Sequence, residues 1–124
     1  MAQNTVYNLN ADKIAQTTGS GAPLLVQPTY ASTISIDASQ YSYWDIVTTA
    51  AVGNATINCA NPGNPGNQVS VQIDNDASGA RTITFGTGFR STGTVTGTTS
   101  KSILVTFVSN GTSLLEDGRS SAAV

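Results

Sequence analysis

The feature that most constrains this chain is a period-two alternation of apolar and polar residues from Val69 to Phe85. Apolar residues occupy positions 69, 71 and 73, and the pattern resumes with Ile83. Such alternation is typical of strands that bury one face. The Asp74–Gly79 segment between them consists mostly of turn-forming residues. The segment therefore predicts a β-hairpin in which Ile73 lies opposite Ile83.

Short strand-like segments separated by turn formers continue along most of the chain. The tandem Asn-Pro-Gly sequence at 61–67 predicts a loop. The dipeptide Asn110-Gly111 predicts a tight hairpin between the last two strands. About eight short strands with turns between them predict an all-β fold, specifically an antiparallel β-sandwich with jelly-roll-like topology.

One continuous pattern within 124 residues indicates a single domain. We expect the sandwich to span residues 23–119, preceded by an extended N-terminal arm at 1–22. Residues 120–124 form a short tail that we expect only a partner to order. Trp44 is the expected core anchor, and the single cysteine, Cys59, is expected to be a small buried hydrophobe.

The charge pattern argues against two classes of partner. Only 10% of residues are charged, and the five basic ones are scattered along the chain. Binding to nucleic acid through phosphate neutralisation is therefore not expected. No apolar stretch is long enough to span a membrane, and the N-terminus lacks the pattern of a secretory signal. We expect synthesis in a cytoplasm.

The composition also argues against catalysis. The chain contains no histidine, which removes the usual general base and the Ser or Cys triad that depends on it. A glycosidase needs two carboxylates across a cleft. Asp37 with Asp45 or Glu116 is conceivable, but their spacing does not single them out. We therefore predict that the protein is not an enzyme.

Two motifs resemble ligand-binding loops only in part. The acidic turn Asp74–Gly79 resembles the start of a calcium loop, but Phe85 stands where the closing acid is required. The glycines from Gly88 to Gly93 have the spacing of a phosphate-binding loop, but Thr94-Val95 replaces its Lys-Ser/Thr pair. We predict no metal and no cofactor.

Several apolar residues have no evident partner within the domain. Ile103, Val105 and Phe107 face one side of their strand, and two further apolar residues face the other side. A strand that is apolar on both faces needs a cover on both. The arm also carries apolar residues without a core of its own. The candidate interface residues are Val6, Tyr7, Leu9, Ile14, Leu104 and Val108.

The aromatic segment 41–44 has two readings. Tyr41, Tyr43 and Trp44 form either part of the core and an interface or a platform on which sugars stack. Packing in the core and at an interface is the favoured interpretation.

The last two-fifths of the chain carry a family resemblance. The sequences DASGARTITFGTGFR, from Asp76, and VTFVSNGT, from Val105, resemble a module found in tailed-bacteriophage virion proteins. The chain is similar to small capsid decoration (cement) proteins, and comparable β modules occur in tail fibres and spikes.

This resemblance implies a virion structural protein at the capsid surface, bound to the major capsid protein as a homotrimer. The alternative is a phage tail fibre or a receptor- or glycan-binding β module. A chain of 124 residues leaves little room for the long shaft of a fibre, so we expect decoration of the head.

Overall fold

The computed structural model describes residues 25–91, 93–120 and 123–124, so the predicted arm at 1–22 lies outside the described residues. All regular structure in these ranges is β-strand, which confirms the all-β class. None of the described residues belongs to a helix of the length and apolarity that crossing a membrane requires. The described residues form ten strands: β1 (Leu25–Val26), β2 (Thr33–Asp37), β3 (Tyr43–Val47), β4 (Ala55–Asn61), β5 (Gln68–Asp74), β6 (Thr82–Phe85), β7 (Phe89–Arg90), β8 (Val95–Thr96), β9 (Ser102–Ser109) and β10 (Leu114–Arg119).

The strands form two sheets, and the first six alternate between them. The larger sheet has the order β1-β3-β5-β9-β10-β7, and the smaller sheet has the order β2-β4-β6-β8. From β1 to β6 every neighbouring pair within a sheet is parallel. This part of the chain is therefore a short solenoid in which each turn adds one strand to each sheet.

Similar residues lie over one another in the solenoid. In the smaller sheet Thr33 pairs with Thr56, and Ile34 pairs with Ile57. Both isoleucines are buried, whereas the threonines that precede them are exposed or half-buried. β-Branched residues suit a pleated strand, and stacking the same apolar side chain from turn to turn gives a continuous core.

The predicted hairpin between 69 and 85 is wrong. The two strands form, but β5 and β6 lie in different sheets. Ile73 pairs with Ile46 and Ile103 instead of Ile83. The reason is that alternation specifies which face of a strand is buried and does not specify its partner. The Asp74–Gly79 turn bridges the two sheets.

The chain changes direction after β6. Strand β8 is antiparallel to β6, and β9 lies between β5 and β10, antiparallel to both. The hairpin at Asn110-Gly111 is confirmed, with a four-residue loop at 110–113 because Ser109 pairs with Leu114. Five of the eight strand pairings among the described residues are parallel, so the antiparallel jelly-roll order expected from the sequence does not describe this topology.

Buried apolar residues from both sheets form one core. Trp44 is buried, and its indole nitrogen donates to the Tyr41 carbonyl oxygen at 3.1 Å. Cys59 is buried as a free thiol. Both predictions are confirmed. Phe85, Phe89 and Phe107 pack with their ring centroids 5.0 Å apart, which joins the two sheets near one end of the core.

The described part of the tail is bound by the chain itself. Val124 accepts a hydrogen bond from the Ser102 amide at 2.8 Å and donates one to the Ser102 carbonyl at 3.0 Å. The Ser120 amide donates to the Leu104 carbonyl at 2.8 Å. The expectation that only a partner orders the tail is therefore wrong, because β9 begins before its pairing with β10 and offers its own backbone groups.

Candidate interaction face

The side of the larger sheet that points away from the core forms a broad face, here called the outer face. Its residues alternate with core residues along β3, β5, β9 and β10. An apolar strip, defined as Leu104, Val108 and Leu115, runs along β9 and β10. Val108 pairs with Leu115, and Leu104 and Leu115 are 37% and 38% exposed. Two of the predicted interface residues therefore lie on one exposed surface.

The structure does not test the other four predicted interface residues. Val6, Tyr7, Leu9 and Ile14 lie outside the described residues. Leu115 was missed, although its position in the predicted last strand, on the face opposite to Leu114, was a usable signal.

A polar network occupies the outer face beside the apolar strip. The Tyr43 hydroxyl donates to Gln72 Oε1. Gln72 Nε2 donates to Asp74 Oδ1 at 2.8 Å, and the Ser102 hydroxyl donates to the same oxygen. These bonds connect β3, β5 and β9, because pairing places Tyr43 and Gln72 on neighbouring strands and Ser102 opposite Asp74.

Asp45 and Asp74 form a second part of this network, here called the acid pair. Asp45 is only 6% exposed, and its Oδ2 accepts a hydrogen bond from Gln27 Nε2 at 2.7 Å. Burial, followed by the contact with Asp74, raises the pKa of Asp45 to about 6. Burial alone would raise the pKa of Asp74, but the contact with Asp45 and the hydrogen bonds from Ser102 and Gln72 lower it. The two carboxyls thus have opposite protonation preferences.

The calcium-like turn is held by an arginine. Asp76 Oδ1 accepts from Arg81 Nε at 2.9 Å, and Oδ2 accepts from Arg81 Nη2 at 2.8 Å. The Thr48 hydroxyl also donates to Oδ1 at 2.5 Å. These bonds, chiefly those from Arg81, hold the pKa of Asp76 well below its ordinary value. Asp74 bonds to other partners, so the two carboxylates of the motif serve separate contacts.

The three carboxylates considered for a glycosidase also have separate partners. Asp37, at the end of β2, accepts from Ser39. Asp45 belongs to the acid pair on β3. Glu116, on β10, accepts from Arg119 at 2.7 Å. The strands thus distribute these groups over different parts of the fold.

The tandem Asn-Pro-Gly segment forms a loop beside an open recess, here called the asparagine recess. Its volume is about 430 Å³, and its lining residues are Ser39, Asn61, Gly63, Asn64, Asn67 and Gly111. Asn61 Nδ2 donates to Ser39 Oγ at 3.0 Å, and Asn67 Nδ2 donates to the Ala38 carbonyl at 3.1 Å. The lining is uncharged and rich in amide and hydroxyl groups.

The aromatic segment 41–44 is divided between two environments. Trp44 lies in the core, with Tyr41 packed edge-on against it at a centroid distance of 5.7 Å. Tyr43 lies on the outer face and is bonded to Gln72. The burial of Trp44 removes the largest ring from an exposed stacking surface.

Comparison with protein-family models and with curated proteins finds no match for this chain. Functional inference therefore rests on the outer face, the recess and the resemblance carried by the sequence.

Proposed function

We propose that this chain is a non-enzymatic structural protein of a bacteriophage virion, which binds the outer surface of the head as a capsid decoration protein. The observation that carries the proposal is the apolar strip Leu104, Val108 and Leu115 on the outer face. The partners are the major capsid protein and two further copies of this chain in a homotrimer.

The outer face has the composition of a protein-binding surface. Apolar side chains lie beside neutral polar ones such as Ser70 and Thr106, and charge is confined mainly to the acid pair and the rim. Interface cores are depleted in charge and exclude water from apolar groups. Each apolar side chain covered on binding contributes about 25 cal/mol per Å² removed from water.

Attachment as a trimer would strengthen such a contact. Each outer face offers only a narrow apolar strip, so a single contact is expected to be weak. Three linked contacts raise the overall affinity by the effective concentration of the second and third sites. The arm, with Val6, Tyr7, Leu9 and Ile14, is proposed as a clamp on the neighbouring surface.

The test is binding to expanded heads prepared without this protein. The double substitution L104S/L115S should reduce the occupancy of heads at least tenfold, because it removes most of the exposed apolar strip. The matched control is Val52→Ser, since Val52 is 37% exposed but lies in the turn between β3 and β4. Unchanged occupancy of the double variant, with thermal unfolding showing that it is folded, would contradict this use of the face.

Deletion of residues 2–20 tests the clamp. We expect the truncated chain to fold and to lose binding to expanded heads. Sedimentation of the intact chain should show a trimer. Undiminished decoration by the truncated chain, or localisation of the intact protein to the tail, would contradict the model.

A receptor- or glycan-binding module is the second candidate, and the asparagine recess favours it. Its neutral amide and hydroxyl lining suits the hydroxyl groups of a sugar. A glycan array should then show binding that Asn64→Ala abolishes and Val52→Ser leaves intact. A tail location combined with such binding would replace the decoration proposal.

A further inference from the structure

We propose that Asp45 and Asp74 hold one proton between them, and that this acid pair is a pH-sensitive latch between β3 and β5 on the outer face. The pair joins strands that are distant in sequence, and its charge changes on the surface that carries the apolar strip. The inference concerns the folded chain itself and does not depend on the proposed function.

The geometry of the two strands places the carboxyls together. Asp45 pairs with Gln72 in the parallel register, and Val47 pairs with Asp74. Asp45 and Asp74 are therefore diagonal neighbours on the same face, close enough for Asp74 to raise the pKa of Asp45. Two ionised carboxylates at such a separation repel each other, and burial strengthens the repulsion.

One oxygen of this pair has no donor unless a proton is present. Asp45 Oδ2 is bonded to Gln27, but Asp45 Oδ1 is buried and has no hydrogen-bond partner in the described structure. A buried acceptor without a partner is costly. A proton on Asp45 that is donated to Asp74 removes the unpartnered acceptor and one of the two negative charges.

The surrounding side chains favour a proton over a metal ion. Gln27, Gln72 and Ser102 all turn donor groups toward the carboxyls. A calcium ion needs six or more oxygen ligands, whereas these groups stabilise a single negative charge by donating to it.

The side chains that face the pair from the adjoining elements include no carboxylate, ammonium or guanidinium group. They are Gln27 after β1, Tyr43 on β3, Gln72 on β5, and Ser102 and Leu104 on β9. Lys101 precedes Ser102 and has an exposed side chain. Among the described residues, the ion pairs join Arg81 to Asp76 and Arg119 to Glu116, so neither acid of the pair belongs to one.

A rise in pH changes the stability of the fold in opposite directions through the two acids. The pKa of Asp45 is raised from 3.8 to about 6 on folding, so its contribution is complete below pH 3.8 and is lost as the pH rises through about 6. The pKa of Asp74 is lowered, so its contribution is present above its ordinary value and is lost as the pH falls. The pair stabilises the fold most between these limits, where it holds one proton.

Asp45→Asn tests the latch, because the amide is a permanent mimic of the protonated acid. Its oxygen can accept from Gln27, and its nitrogen can donate to Asp74. Between pH 5 and pH 8, the Tm of the natural chain should fall by at least about 5 °C more than the Tm of the variant. At pH 8 the variant should be the more stable of the two. Asp117→Asn, at an exposed position, is the control and should keep the natural pH profile.

Several outcomes would overturn the proposal. One is a dependence of Tm on pH in Asp45→Asn that parallels that of the natural chain. Another is a rise in Tm on adding calcium chloride at pH 8 that Asp45→Asn abolishes, since that would assign a cation to the site. If the variant does not fold, infrared spectroscopy of the natural chain at pH 5 provides the test. A protonated carboxyl band that disappears by pH 8 supports the latch, and its absence contradicts it.

Discussion

Asparagine side chains connect successive turns of the solenoid at the level of single residues. Asn54 Oδ1 accepts from the Thr82 amide at 2.9 Å, across 28 residues. Asn58 Oδ1 accepts from the Thr87 amide at 2.8 Å, across 29 residues. Both bonds satisfy backbone donors with side-chain oxygens. Asparagine is thus a structural residue here, in addition to its usual role in turns.

Asn75, in the connection between β5 and β6, is buried, at 5% exposure. It accepts from the Arg81 amide at 2.9 Å and donates to the carbonyls of Asp76 and Gly79. Asn75→Ala should lower the free energy of unfolding by about 1–3 kcal/mol, because it leaves these backbone groups without their partner. Urea unfolding measures the change.

The control for that prediction is Asn64→Ala in the exposed loop. It should change stability by no more than about 0.5 kcal/mol. Equal effects of the two substitutions would show that Asn75 does not organise the β5–β6 connection.

At the scale of elements, the turn between β6 and β7 depends on the close approach of Gly88 to β4. Gly88 has a φ of +86°, and a Cβ atom there would lie 2.4 Å from the Cys59 carbonyl oxygen. Gly53 has a similar φ of +83° but open space around it. The two glycines therefore separate the effect of backbone conformation from that of a steric clash.

Gly53→Ala should cost about 1 kcal/mol, from the left-handed backbone conformation alone. Gly88→Ala should cost at least about 2 kcal/mol more, because β4 must shift to admit the methyl group. Chemical unfolding of both variants measures the difference. Similar losses would mean that the turn moves away from Cys59 without penalty.

The elements themselves were largely readable in the sequence, whereas their partners were not. Trp44, Cys59 and the Asn110-Gly111 hairpin were predictable because burial and turn chemistry are local signals. The partners of β5 were not, since an alternating strand pairs equally well in either direction. A usable signal was the recurrence of Thr-Ile, a polar residue and an apolar residue in β2, β4 and β6, although its spacing is uneven.

The acid pair could not be predicted from the sequence, because the sequence pattern does not specify which strands are neighbours. Asp45 and Asp74 were each visible as an aspartate in a strand, but only the parallel register of β3 and β5 makes them neighbours. The apolar strip was half predicted. Leu104 and Val108 share a strand, whereas Leu115 joins them through the hairpin.

At the scale of the whole molecule, stability should vary from the centre of the larger sheet to the edges. Strands β5 and β9 have a hydrogen-bonded neighbour on each side, whereas among the described residues β1 and β7 end the larger sheet and β2 and β8 end the smaller one. Amide exchange should be slowest in β5 and β9 and fastest in these four end strands. Hydrogen–deuterium exchange followed by NMR measures this, and equal protection of β8 and β9 would contradict it.

The position of β9 has a consequence for biosynthesis. It is the ninth of the ten strands in the described part of the chain, yet it lies between β5 and β10 in the larger sheet. While the ribosome is still translating the preceding residues, β5 presents an unpaired edge that can recruit a strand from another nascent copy. We therefore expect that slower translation through residues 75–101 increases the fraction of this protein that aggregates.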